Sequence, residues 1–281
     1  MNRDQHEANR RSWNHATRVH NLHKRDQAAF LRGGGSTLFP EERALLGAIA
    51  GLRLVHLQCN SGQDTLSLAA LGAVVTGIDI SDEAITFAES LSRDSGLPGA
   101  FVRADVYDWL AEAPPASADV VFTSYGALPW LTDLPAWAAG IARVLAPGGR
   151  LVVVEFHPVG FMFDGQFRVA YPYSAPDEPL LFPEGIGDYV GLAGGALSPS
   201  GHVALPEPFV NPEPVYERAH GIGDVLGAVL GAGLRLDRFE EWPYANGCPI
   251  VDTLVEGPGR RFAPPPGIPS LPLMYGLVAR R

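Results

Sequence analysis

Two short segments constrain this chain more than any others. Residues 54–64 are an apolar run that closes in Gln58-Cys59-Asn60-Ser61-Gly62, and Gly77-Ile78-Asp79-Ile80-Ser81 is an apolar run that closes in a carboxylate. Between them lies Asp64-Thr65-Leu66-Ser67-Leu68-Ala69, so strand, helix and strand follow one another. Such a βαβ unit turns the N–H groups of the helix N-terminus toward a ligand. It sets Asp79 across the crevice, where a carboxylate accepts hydrogen bonds from both hydroxyls of a ribose. The turn is not the dinucleotide one, because Gln58 and Asn60 stand where glycines would admit a pyrophosphate. A nucleoside ligand without a pyrophosphate is the expectation.

The alternation continues. Strands are predicted over 53–57, 74–79, 100–103, 118–123 and 150–156, with helices over 64–71, 82–96, 106–111 and 134–145 between them. Ser81-Asp82-Glu83 supplies a capping side chain and two carboxylates to one helix start, and Pro147-Gly148-Gly149 stops the helix before the fifth strand. Strands alternating with helices of this length imply a doubly wound, mostly parallel sheet covered on both faces. One or two amphipathic helices over 5–31 and a short one over 41–49 precede it. From 157 to 215 the pattern gives way to Pro, Gly and aromatic residues, too long for an ordinary connection and so read as a cap. A helix over 218–230, a strand over 234–242, an irregular loop and a last strand over 272–278 bring the sheet to seven strands. The expected division is a helical lid (1–50), an α/β core (51–156), a cap (157–215) and the rest of the core (216–281).

Composition narrows the function. With 281 residues and 46% hydrophobic content the chain can bury a full core. A net charge of −10, with adjacent basic residues only in short pairs such as Lys24-Arg25, argues against nucleic acid. No stretch reaches the ~20 apolar residues that span a bilayer, so no membrane partner and a cytoplasmic location are expected. Cys59 and Cys248 form neither a disulfide framework nor a metal knuckle and read as packing residues.

With these parts in this order, residues 52–281 resemble class I S-adenosylmethionine-dependent methyltransferases. Residues 56–64 stand where that family has its first-strand loop, Asp79 where it has the ribose acid, Ala104-Asp105-Val106 where it has the adenine contact, and residues 145–151 where it turns into strand five. Residues 62–69, Phe122-Thr123-Ser124-Tyr125-Gly126 and Glu155-Phe156-His157-Pro158 are similar to a bacterial subgroup acting on small molecules. The resemblance implies S-adenosylmethionine as cofactor, S-adenosylhomocysteine as product, and a small-molecule acceptor. It implies cofactor contacts from His56, Gln58, Asn60, Gly62, Asp64, Thr65, Asp79, Ile80, Asp105, Val106, Ser124 and Tyr125. His56 falls where the family usually has an acid that meets the donor's amino group.

Methyl transfer needs an aligned, desolvated acceptor, and a base only where the nucleophile must lose a proton. Candidate bases are Glu155 and His157 around the end of strand five, and Tyr216, Glu217 and His220 before the next helix, with the histidines leading because their pKa lies nearest neutral. Glu155, His157 and His220 lack metal-site spacing, so no metal is expected. Cap residues Phe161, Met162, Phe163, Phe167, Tyr171, Tyr173, Phe182 and Tyr189 suggest an apolar or aromatic acceptor, and Arg11, Trp13, Asn14 and His15 a second lid or an interface. Oxygen or nitrogen acceptors lead over carbon and sulfur. A nicotinamide-dependent oxidoreductase and a non-catalytic adenosine-binding protein are the alternatives, and the assembly is a monomer or homodimer.

Overall fold

A computed structural model describes residues 2–281. The chain opens with α1 (Arg3–Leu22), α2 (Gln27–Arg32) and α3 (Pro40–Leu46). Then come β1 (Arg53–Leu57), α4 (Gln63–Ala70), β2 (Val74–Asp79), α5 (Asp82–Ser95), β3 (Ala100–Arg103) and α6 (Val106–Glu112). The alternation ends with β4 (Ala118–Ser124), α7 (Leu134–Val144) and β5 (Leu145–Phe156). Local chemistry sets several ends. Ser81 Oγ accepts the Ala84 N–H at 3.1 Å to start α5, and Gly96 ends that helix in the left-handed conformation at φ 73°.

Beyond β5 lie β6 (Ala175–Phe182), α8 (Tyr189–Ala193) and β7 (Val215–Ala219). They are followed by α9 (Ile222–Gly231), β8 (Arg235–Trp242), β9 (Ala245–Asn246), β10 (Val255–Gly257), β11 (Arg261–Ala263) and β12 (Met274–Arg280). Seven strands form the main sheet in the order β3-β2-β1-β4-β5-β12-β8. Only β12 runs antiparallel to its neighbours in it. The expected doubly wound α/β class is therefore observed.

Side chains one residue apart go to opposite faces of a strand, and both faces here are apolar. Val55, Leu57, Val121 and Val153 pack with Leu110, Trp137, Ile141 and Val225 from α6, α7 and α9. Leu54, Val120, Phe122 and Val152 pack with Leu45, Leu46 and Leu68 from α3 and α4. Each such side chain, fully buried, contributes about 1.5–3 kcal/mol. Strand order reverses between β1 and β4, and there the helices diverge and leave a crevice at the carboxyl ends of the strands.

Two regions differ from the expectation. The helix expected from 218 begins at Ile222, and Arg218 and Ala219 belong instead to β7, which pairs antiparallel with β6 of the cap. Val215, Glu217 and Ala219 alternate with Tyr216 and Arg218, a strand period that a helix reading overrides when only the downstream apolar run is counted. The loop after β8, expected to be irregular, contains the three-stranded sheet β10-β11-β9.

Helix α1 joins the core to the cap. Arg10 and Asn14 both donate to the Asp82 carboxylate at the start of α5, and Arg18 pairs with Glu83. On the cap side, Asn9 Nδ2 donates to Tyr216 O and Asn9 Oδ1 accepts the Tyr216 N–H, each at 2.8 Å. Among the described residues no helix is long and apolar enough to cross a membrane.

Candidate functional site

A cavity of about 520 Å³ fills the crevice and is closed over by α1 and the cap. That volume lies in the range of small-molecule sites. Its floor is the turn after β1. Gln58 and Asn60 hold φ of 55° and 47°, and Gly62 holds 77°, so three alternate residues are left-handed. Non-glycine residues adopt this conformation at a cost of about 1–2 kcal/mol each, with Asn the best tolerated. At Gly62 a side chain is also excluded by space, since a Cβ would lie 2.7 Å from Ala88 Cβ and 2.8 Å from the Phe101 ring. Gln58 Nε2 donates to Ala127 O at 2.7 Å, tying this turn to the one after β4, while Gln58 Oε1 receives no donor.

Asp79 ends β2 beside this turn. Its Oδ2 accepts the Asn60 N–H and its Oδ1 accepts the Ser81 N–H, each at 2.8 Å. A carboxylate offers about four lone-pair directions, so these two bonds leave acceptor capacity on a group that lines the cavity. Burial pushes the Asp79 pKa up to about 6, against the pull of these N–H bonds. Asp105, the N-cap of α6, accepts the Tyr107 N–H at 2.9 Å and a hydrogen bond from His6 Nδ1 of α1 at 2.5 Å. Burial raises its pKa, but the His6 hydrogen bond and charge prevail and hold it below the usual range. Ile80, Val106, Ser124 and Tyr125 also line the cavity.

Near the start of α4, Asp64 accepts a hydrogen bond from Thr37 Oγ1. Lys24, from the segment between α1 and α2, lines the same cavity, and burial pushes its pKa down to about 8 against the attraction of Asp64. His56 is 2% exposed, its Nδ1 is 2.9 Å from Thr65 Oγ1, and burial pushes it down to about 4. At neutral pH it is an uncharged imidazole, unable to play the part of an acid. Thr65, bonded to His56, and Gly62 do not line the cavity.

The family model of a methyltransferase domain matches residues 55–153. Those residues carry a methyltransferase domain. Among curated relatives, a demethylmenaquinone methyltransferase of Tropheryma whipplei (strain Twist) is 32% identical over 120 residues, 42% of this chain and 48% of that protein. A ubiquinone biosynthesis O-methyltransferase of Xanthomonas euvesicatoria is 36% identical over 103 residues, 37% of this chain and 42% of that protein. The chain thus spans about half the length, or less, of these curated relatives. A solved S-adenosylmethionine-dependent methyltransferase from Mesorhizobium loti shares the fold, with TM-score 0.57 and 22% identity over 88% of this chain and 99% of that one.

Four of the five candidate bases, Glu155, His157, Tyr216 and His220, do not line the cavity. Glu155 is turned to the backbone, where its carboxylate accepts N–H groups of Gly126, Ala127, Leu128 and Phe156 and fixes the turn after β4. Burial raises its pKa, opposed by those bonds. His157 lies at the far side of β5, with Nε2 bonded to Glu241 at 2.9 Å and Nδ1 accepting the Val159 N–H at 3.2 Å. His220 Nε2 donates to Leu131 O at 2.8 Å, and the ring borders a separate small void. Tyr216 is bound through its backbone to Asn9, and on β7 its side chain points opposite to that of Glu217.

Glu217 does line the cavity of the methyltransferase domain, as do Phe161, Phe182 and Tyr189 from the cap and Trp13 from α1. His6, Asn9, Lys24, Thr37 and Arg260 complete the wall from distant parts of the chain. No local motif marks those five. Asn14, expected in a second lid or an interface, meets the start of α5 through Ser81 and Asp82. Cys59 and Cys248 touch the cavity, but burial raises both thiols, Cys248 to about 12, and leaves them unreactive at neutral pH.

Proposed function

We propose that this chain binds S-adenosylmethionine in the cavity and transfers its methyl group to a small-molecule acceptor. The observation that carries the reading is Asp79, a carboxylate at the end of β2 that lines the cavity with acceptor capacity beyond its two backbone N–H bonds. When bound, S-adenosylmethionine supplies a methyl group on a sulfonium centre, open to in-line attack. The residues present fit it. Asp79 accepts from the ribose hydroxyls, and Asp105, set by His6, faces the adenine with the Val106 backbone. Lys24 and Asp64, opposite charges beside the start of α4, match the carboxylate and ammonium of the amino-acid end, with the unpaired Gln58 Oε1 as a second acceptor. Uncharged His56 replaces the usual acid, and Asp64 takes over its electrostatic part.

The remaining wall is largely apolar and aromatic. Trp13 meets Trp130 edge-on at 5.5 Å and Tyr189 at 6.4 Å, with Phe182, Ile186 and Val215 packed around them. Such a surface desolvates an apolar acceptor and aligns it, the main requirement of the reaction. We assign the lid, cap and cofactor roles accordingly, with the chain acting as a monomer or homodimer in the cytoplasm and without nucleic acid. Calorimetric titration with S-adenosylhomocysteine tests the reading: one site per chain is expected, and no binding overturns it. A nicotinamide fluorescence titration should show no binding, because Gln58 and Asn60 close the turn to a pyrophosphate.

A second reading is favoured by one relative. An S-adenosyl-L-methionine-dependent Diels–Alderase from Talaromyces variabilis is 34% identical over 119 residues, 41% of this chain and 40% of that protein. Binding of the cofactor with no methylated product across an acceptor panel would favour a chain that uses the cavity without methyl transfer.

A further inference from the structure

Four carboxylates line the cavity, and three are engaged. Asp64 accepts from Thr37, Asp79 from two backbone N–H groups, and Asp105 from His6 and Tyr107. The Glu217 carboxylate accepts no hydrogen bond and forms no ion pair with any described residue, although it lies on a strand whose same-face neighbour Val215 is buried among Trp13, Trp130 and Phe182. A half-buried carboxylate that lines the cavity without a donor from the chain is open to a partner from outside it.

We propose that Glu217 binds the acceptor, accepting a hydrogen bond from, and then the proton of, an acidic hydroxyl borne on a planar apolar body. The inference rests on the methyl-transfer reading above. In the step, a lone pair of the hydroxyl oxygen forms the bond to the methyl carbon and the C–S pair stays on sulfur, which becomes a neutral thioether. The hydroxyl proton passes to Glu217, which becomes a neutral acid and returns the proton to water when product leaves. The positive sulfonium and the negative carboxylate are neutralised together, so the step leaves no separated charge in the cavity.

The class of hydroxyl follows from acidity. Burial pushes Glu217 up to about 7, and it is the only influence on that group. A base of this strength takes a proton readily from a phenol or enol, with pKa near 10, and poorly from an aliphatic alcohol. The edge-on rings of Trp13, Trp130 and Tyr189 suit a flat body, since offset and T-shaped contacts are the favoured aromatic geometries.

The test uses the full chain saturated with S-adenosylhomocysteine at about pH 8, where Glu217 is ionised and 4-chlorophenol is still largely neutral. Calorimetry compares 4-chlorophenol with 4-chlorotoluene, which has the same shape and no acidic proton. The phenol should bind at least about tenfold tighter, as expected for a hydrogen bond to a charged group. In Glu217→Gln the preference should fall below about threefold while the affinity for S-adenosylhomocysteine stays within about twofold. Equal binding of the two probes, binding of neither, or a preference that survives Glu217→Gln overturns the proposal and leaves the donor reading standing. Failure of S-adenosylhomocysteine to bind overturns the donor reading and this inference with it.

Discussion

Glu217→Gln should make the protein more stable. Glutamine keeps the shape and size of the side chain, and the Glu217 carboxylate accepts no hydrogen bond from the described residues, so the substitution orphans no donor of the chain. What it removes is a half-buried charge. Raising a carboxyl pKa from 4.5 to about 7 corresponds, at about 1.4 kcal/mol per pH unit, to about 3 kcal/mol. This is an upper figure, because water in the cavity solvates part of the charge. The sign follows from proton binding. Between the unfolded and folded pKa values the folded chain holds the proton and the unfolded chain does not, so wild-type stability falls as pH rises through that window and is level above it. The variant lacks this loss. Its advantage should be absent below about pH 4.5, grow to about pH 7 and then hold, where it raises Tm by about 6 °C. Thermal unfolding of both proteins across this pH range measures it. A variant no more stable than wild type at about pH 8, or an advantage that does not change with pH, would refute the argument that burial alone governs Glu217. Stability given up for a poised acid is typical of functional sites.

Asp79→Asn should weaken S-adenosylhomocysteine binding by about tenfold or more, since hydrogen bonds to a charged acceptor carry about 1.5–3 kcal/mol; an affinity within about threefold of wild type would remove Asp79 from ribose binding. Gly62→Ala combines a left-handed residue with a Cβ 2.7 Å from Ala88 Cβ and should destabilise by about 2–4 kcal/mol in urea unfolding. A loss below about 0.5 kcal/mol would mean that the turn after β1 yields more easily than its packing indicates. His157→Gln should leave the affinities for S-adenosylhomocysteine and 4-chlorophenol within about twofold, because His157 is bonded to Glu241 and Val159 away from the cavity. A roughly tenfold loss of either would return His157 to the site.

Much of this protein is written in neighbouring residues. An apolar run such as Val152-Val153-Val154 in β5 declares a buried strand, Ser81 declares a helix start, and Asp79 at a strand end declares a carboxylate in the crevice. Each depends on periodicity or turn chemistry within about fifteen residues, which local sequence carries in full. The meeting of distant side chains is a different matter, settled by packing. His6 reaches Asp105, Lys24 faces Asp64, and Glu155 directs its carboxylate to four backbone N–H groups rather than to a ligand. The choice between Tyr216 and Glu217 is the sharpest instance. Adjacent on β7, they point to opposite sides, and it is the pairing of β7 with β6 and its clasp by Asn9 that turns Glu217 inward. Strand register is set by contacts between segments far apart in the chain, and a shift of one residue exchanges the face that meets the ligand for the face that does not.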